Sequence, residues 1–426
     1  MLHEISGWPI ACWSVRLASQ ISNVPPIVVL GHQAEEIKKK LENEIVGDLS
    51  FVTQQKLDGT GGAVKAAIDS LPDDCDIVIV MCGDVPLLTT KTMERLIALK
   101  VSSALPIAFL TSRIECPAGY GRILRDDSQK IQKIIEEADA SPKEKSICEI
   151  NSGIYAFSMS FLKKNIFSLN NDNKKGEFYL TDLINHNAEA LSAPYEEIFG
   201  INDRAQLARA QSLMNRRIIN FWMEQGASFI DPRNTLVDAH VKLSKDCVIY
   251  PQVHLQGRTK VGISSVIKNG SIIKDCDIGC DVIAEPYSVC DQAIIKDHSR
   301  IGPFAHLRRG TILEEGVKIG NFVETKASHL KKGVKANHLA YIGDAEVGEE
   351  TNIGAGSITC NYDGKTKQKT TIGKKAFIGS NTTLIAPLRV GDGAYIAGGS
   401  TISKEVPAGA LAFGRARQKN REKKIV

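Results

Sequence analysis

The sequence predicts two domains of different class. An α/β domain with Rossmann-like strand–helix alternation spans 1–202. An all-β parallel β-helix built on a six-residue repeat spans 226–410, left-handed as this architecture is known to be and not by anything the repeat itself sets. Three observations predict this. Aliphatic residues recur at strict six-residue steps between about residues 245 and 405. Residues 26–200 alternate short apolar runs with amphipathic ones. A chain of 426 residues is also too long for one compact core.

In the first half, residues 26–30 (PIVVL), 50–54 and 76–81 (DIVIVM) read as strands. Residues 34–43, 61–70 and 90–100 read as helices. Near-continuous apolar strands alternating with helices imply a parallel sheet covered on both faces. Ligands of such sheets bind beyond the strand C-termini. Gly83-Asp84 closes one strand there and points a carboxylate into the crevice. Gly59-Thr60-Gly61-Gly62 opens a helix, where free backbone N–H groups suit a phosphate or a uracil edge. Each signal is also what an ordinary turn or helix start looks like. The chain opens with a helix over residues 10–20. No strand with a glycine-rich phosphate loop precedes it, although a doubly wound sheet normally begins with one.

Residues 203–225 form one long helical pattern through Leu207, Leu213, Ile218 and Phe221. It reads equally as a linker helix between domains and as a last helix packed on the sheet.

The repeat follows. One run is Ile249, Leu255, Val261, Ile267, Ile273; a second is Val289, Ile295, Ile301, Leu307, Leu313, Ile319; a third runs from Ile372 to Ile402. A helix wants apolar residues every three or four positions, and a half-buried strand every two. Period six fits a triangular coil whose aliphatic residue points into a prism, with each coil bonded to the next. Glycines often follow the aliphatic, as at Gly262, Gly320 and Gly379, and fit corners needing unusual backbone angles. The competing reading is an antiparallel sandwich with chance spacing. The phase breaks between Ile319 and Ile342 and between Ile358 and Ile372. Polar interruptions of a solenoid are expected to be loops that carry function.

Residues 411–426 form a basic tail: Arg415, Arg417, Lys419, Arg421, Lys423 and Lys424 against Glu422. It reads either as a solvated end or as an electrostatic grip on phosphates.

Composition narrows the class. A net charge of +4 is too mild to indicate nucleic acid. Ten scattered cysteines lack CxxC pairing and zinc-finger spacing, which favours a reducing cytoplasm. No eighteen-residue apolar run is present, so no membrane span is expected. The N-terminus lacks signal-peptide features.

With both halves in view, the chain resembles the bifunctional bacterial N-acetylglucosamine-1-phosphate uridyltransferase/glucosamine-1-phosphate acetyltransferase family. The resemblance covers essentially the whole chain. It rests on IGPFAHLRRG, NFVETKAS, NHLAYIGDAEVG, TNIGAGSITCNYDG and IGSNTTLIAPLRVG. In the first half it rests on QQKLDGTGGAV, CGDVPLL, AGYGRI, EINSGIYAF, GEFYLTD and GINDRAQL.

The resemblance implies specific roles. His338 matches the general base, which removes a proton from the substrate amine; such assistance is worth roughly 10²–10⁴ in rate. Arg308, Lys326, Tyr341 and Asn352 match residues that hold the sugar phosphate. Ala355, Asn361, Tyr362, Ser380, Gly398 and Arg415 match positions near acetyl-CoA. Gly398 stands where alanine is usual, and His306 where arginine is expected. In the other half, Asp84 and Asn202 match a Mg²⁺ pair. Gln54, Gly59 and Thr60 match uracil contacts, and Gly121, Glu136 and Asn151 sugar contacts. The implied substrates are glucosamine 1-phosphate, acetyl-CoA and UTP, and the product is UDP-N-acetylglucosamine for peptidoglycan and lipopolysaccharide precursors. The implied assembly is a homotrimer.

One departure matters. The family opens with a strand and a loop of the form LAAGxGTRMxSxxPK, directly before the segment matching Leu2-His3. The chain as written therefore lacks triphosphate-binding groups, and its sheet lacks a first strand. A start assigned to an internal methionine is one explanation, and a real loss of the first activity the other. Three further readings compete: a pyrophosphorylase whose β-helix is only structural, a catalytically dead assembly subunit, and a solenoid metalloenzyme. The last would need three clustered histidines, and His329 and His338 lack a third.

Overall fold

A computed structural model describes residues 1–421, and Glu422, Lys423 and Lys424 of the basic tail lie outside the described residues. The chain divides into two units between Met214 and Asn215, inside the helix Arg204–Glu224.

In the first unit the strands Ile27–Leu30, Ser50–Thr53 and Ile77–Val80 and the helices Ile10–Ile21, Ala34–Glu44 and Thr60–Ala67 fall where the pattern places them. The sheet is mixed rather than parallel. Glu149–Ser158, ten residues long, runs antiparallel to both Ile77–Val80 and Ile107–Arg113. Its Tyr155 and Phe157 rings pack on each other and on Phe109 in the core. Each such buried aromatic or aliphatic side chain contributes about 1.5–3 kcal/mol. The antiparallel strand was hidden because its apolar run resembles that of a buried parallel strand. The sheet is also in two pieces. Ile27–Leu30 pairs with Ser50–Thr53, and Ile77–Val80 pairs with Glu149–Ser158, without a bond between the two groups. A small hairpin, Glu4–Ile5 with Trp8–Pro9, precedes the first helix, where the sequence showed no strand.

The long helix is held near its middle. Gln211 accepts a hydrogen bond from the Ser6 N–H at 2.7 Å. Asn215 donates to the Thr235 carbonyl at 2.8 Å and accepts from the Val237 N–H at 2.9 Å. The residues it buries are Ala210, Met214, Asn215 and Ile219, whereas Phe221 is exposed.

The second unit is a parallel β-solenoid with three sheets of 11, 10 and 9 strands among the described residues. These are called the first, second and third faces. Val248 pairs with Val266 on the first face, one coil of eighteen residues later. The six-residue aliphatics point inward and are buried, for example Ile249, Ile267 and Ile301 on the first face and Leu255, Ile273 and Leu307 on the second. Truncating one of them to alanine costs about 2–5 kcal/mol.

Three expectations change. Val289 points outward, and Cys290 fills the interior in its place. The stretch between Ile319 and Ile342 is not a loop. It is regular coil, with Thr325, Leu330 and Ala336 buried at the inward positions. The second break is a true excursion: Ala345 pairs with Thr370, twenty-five residues on, and an isolated Tyr362–Lys367 bridge closes the loop between. Glycines such as Gly262, Gly320 and Gly379 are required by close approach to the next coil's backbone, not by backbone angle. Positive φ falls instead on other glycines, such as Gly257 and Gly310, and on non-glycine corner residues, among them Tyr287, Phe304, Phe322 and Leu339.

Candidate active sites

His338 ends the strand Lys335–His338 of the first face, at the turn to the second face. It is exposed, and its Nδ1 lies 2.7 Å from Oδ1 of Asn321, its register partner on the preceding coil. Across the turn, Glu324 pairs with Tyr341 and Lys326 with Gly343. Arg308 sits on the same face one coil earlier, 2.8 Å from Glu324, whose carboxylate holds the guanidinium above its usual pKa range. The Tyr341 hydroxyl folds back over Gly343, where any side chain would collide with it and with the Asn361 amide. Lys326 lies 3.9 Å from Asp344, and Asn361 donates to that same carboxylate. Hydrogen-bond contact with Lys326, followed by charge repulsion from it, holds the Lys367 amine below the usual lysine range. Two cations side by side make this a place for an anion.

The structure brings His338, Arg308, Lys326 and Tyr341 to one corner and its adjoining face. It does not bring Asn352 to them. Asn352 is on the first face, in register with Lys335 and Phe377. His306 points outward on the second face opposite Glu324.

The same corner changes character along the solenoid. Before His338 it carries Tyr287, Phe304 and Phe322, exposed and stacked at 5.4 and 5.3 Å between ring centres. After His338 it carries Ala355, Ser380 and Gly398, linked coil to coil by Asn381 N–H to the Ala355 carbonyl and Gly399 N–H to the Ser380 carbonyl, both 2.7 Å. Small residues there leave a smooth ledge for an extended chain. Arg415 donates to the Gly398 carbonyl at 2.6 Å at its far end. The loop over 361–369 leaves the second face at Cys360 and returns on the third at Thr370, with Asn361 buried and Tyr362 exposed. Arg417, Lys419 and Arg421 are exposed.

In the first unit, the Ile201 N–H donates to the Asp84 carbonyl at 3.2 Å, which brings Asn202 beside Asp84. Gly200 leaves room at the Asp84 carboxylate, and burial raises that group's pKa. Among the described residues no cluster of three or more His, Cys, Asp or Glu could hold a metal. An acid–amide pair still suits Mg²⁺, which fills most of its shell with water and phosphate oxygens.

Gln54 donates to Asp58 at 2.9 Å and to the Gly59 carbonyl at 3.2 Å. The helix start is less open than the sequence suggested: the Gly61 N–H is taken by the Phe178 carbonyl at 2.8 Å, and Thr60 Oγ1 accepts from the Leu180 N–H. Gly121, Glu136 and Asn151 do converge. The Asn151 N–H donates to the Gly121 carbonyl at 2.9 Å, and Gly121 sits beside the Glu136 carboxylate. Burial raises the Glu136 pKa, against the Thr181 hydroxyl that donates to it at 2.8 Å.

Asn321, Glu324, Asp344 and Lys367 were missed from sequence. Asn321, Glu324 and Asp344 lie within quoted motifs but carry no spacing signal. Lys367 lies in a polar loop whose fold was not legible.

A nucleotidyl transferase family model matches residues 11–226, and a bacterial transferase hexapeptide (six repeats) model matches 369–404. The bifunctional protein GlmU of Pelobacter propionicus is 43% identical over 99% of this chain and 93% of its own length. That of Thermoanaerobacter pseudethanolicus is 42% identical over 99% and 92%. That of Heliobacterium modesticaldum is 43% identical over 99% and 93%. With such identity across both units, the chain belongs to the family of the bifunctional protein GlmU.

Proposed function

We propose that the solenoid acetylates the amine of glucosamine 1-phosphate from acetyl-CoA. We propose further that the first unit transfers a uridylyl group from UTP to the product, giving UDP-N-acetylglucosamine and pyrophosphate for peptidoglycan and lipopolysaccharide precursors. The observation that carries the acetyl-transfer reading is His338. Its Nδ1 is held by Asn321, which leaves Nε2 exposed at the junction of a cationic face and a ledge of small residues.

Arg308, Lys326 and Lys367 would neutralise the sugar's phosphate, with Tyr341 beside them. The acetyl-CoA chain would lie along Ala355, Ser380 and Gly398, with Asn361 and Tyr362 at its side and Arg415 at its phosphates. The substrate ammonium cannot attack a thioester. His338 Nε2 takes one proton from that ammonium; the freed amine nitrogen bonds to the acetyl carbon, the carbon–sulfur bond breaks, and the nitrogen's second proton goes to the leaving thiolate, giving the amide and coenzyme A.

In the first unit, Asp84 and Asn202 would hold Mg²⁺, which supplies charge neutralisation to the phosphates. Gln54, Gly59 and Thr60 would meet the uracil, and Gly121, Glu136 and Asn151 the sugar. A homotrimer is supported by two observations: Asn352 stands apart from the other sugar-phosphate residues, and the aromatic column at the corner is exposed. A cytoplasmic setting is supported by ten free cysteines. No helix among the described residues is long and apolar enough to cross a membrane.

A second reading is acetyl transfer alone, favoured by the two-piece sheet of the first unit. Two assays decide. Mass detection of N-acetylglucosamine 1-phosphate from glucosamine 1-phosphate and acetyl-CoA tests the solenoid, and its absence from folded protein refutes the reading. Pyrophosphate release from UTP and N-acetylglucosamine 1-phosphate supports the bifunctional reading, and its absence leaves acetyl transfer alone.

A further inference from the structure

Two strands of the first face are longer than their neighbours. Lys318–Asn321 and Lys335–His338 have four residues each, where Arg300–Ile301 and Asn352–Ile353 have two. The extra length carries one added register pair, Asn321 with His338. Gly320 makes that pairing possible, because any side chain there would run into the backbone of Asn337. Asn321 holds both the histidine and the residue that follows it. Its carbonyl accepts from the Leu339 N–H at 3.0 Å, and its Oδ1 meets His338 Nδ1 at 2.7 Å. Among the described residues Asn321 is the one hydrogen-bond partner of the imidazole.

We propose that Asn321 is a positioning residue of the acetyl-transfer site, which fixes the His338 tautomer through the close approach that Gly320 permits. The inference rests on the reading of His338 as the general base. An amide oxygen can only accept, so it selects the ring form with hydrogen on Nδ1. The lone pair is then on Nε2, the nitrogen that faces outward.

The choice of an amide over a carboxylate has a consequence. A carboxylate at this distance would stabilise the protonated ring and remove the base from its working form. A neutral amide sets the tautomer without adding charge. The charged and titratable groups on the elements around the ring are Lys318 and Lys335 on its own face and Glu324, Lys326 and Tyr341 across the corner. Glu324 is engaged by Arg308 at 2.8 Å.

Two variants of the full chain test this, beside wild type and His338→Ala. If wild type lacks acetyl transfer, or His338→Ala keeps it, the reading of the site fails. With those controls as expected, Asn321→Leu should lower kcat at least about 10-fold, with both KM values within about 3-fold. Asn321→Asp should move the acidic limb of the kcat/KM profile to higher pH by about one unit. A kcat for Asn321→Leu within 2-fold of wild type, or an unmoved limb in Asn321→Asp, would overturn the inference. A merely structural role would change stability and leave the limb in place. If Asn321→Leu does not fold, the Asn321→Asp profile alone decides.

Discussion

Lys326 stands 3.9 Å from Asp344, and the same carboxylate receives the side-chain amide of Asn361. One acid therefore links a residue assigned to the sugar phosphate with one assigned to the acetyl donor. Asp344→Ala should raise KM for both substrates about 10-fold, or ~1.4 kcal/mol each. Glu346→Ala, whose partners are Lys331 and Lys369 on the third face, should move neither. Steady-state kinetics with each substrate varied in turn checks the contrast.

Gly320 and Gly343 are predicted to fail differently. A side chain at Gly320 meets backbone, which cannot give way, whereas one at Gly343 meets the movable ends of Tyr341 and Asn361. Gly320→Ala should lower the Tm of the solenoid transition by several degrees, at a cost of about 1–3 kcal/mol. Gly343→Ala should leave Tm nearly unchanged and raise KM for the sugar phosphate. Thermal unfolding combined with kinetics separates the two.

The corner column of Tyr287, Phe304 and Phe322 is exposed over three consecutive coils. A contiguous apolar stripe of this kind marks a surface that associates. Phe304→Asp should reduce the assembled mass measured by sedimentation, without loss of β-structure by circular dichroism. An unchanged mass would remove the column from the assembly.

Glu136 gives a pH test of the first unit. Burial holds its folded-state pKa above the unfolded value, so the native state binds the proton more tightly. Its contribution is most favourable below the unfolded pKa and is lost as pH rises through the folded one. Glu136→Gln should therefore raise the Tm of the first unit by about 2–4 °C at neutral pH, with the gain shrinking toward pH 4. A gain that grows at low pH would contradict the sign.

The prism was legible because its interior accepts one side chain per six residues, and Ile267 or Ile301 cannot be moved without exposing an aliphatic chain. Legibility failed where the interior took small or polar residues. Thr325 and Ala336 sit at inward positions, and Leu330 follows Thr325 by five residues rather than six. Counting aliphatics in strict sixes misses such a coil, and an ordered stretch then looks like a loop. His338 was picked out through the family motif. Its partner Asn321 lies seventeen residues earlier, a spacing that has meaning only once the coil length is known. In the first unit the free N–H expected at Gly61 was lost to Phe178, a contact between distant segments that no local pattern shows.

The most direct test of the central claim is coenzyme A thiol release from acetyl-CoA with glucosamine 1-phosphate, measured for wild type and His338→Ala. The account predicts turnover by wild type and a loss of at least about 10²-fold in the variant, with fold and assembled mass unchanged. Turnover by His338→Ala at the wild-type rate would contradict it.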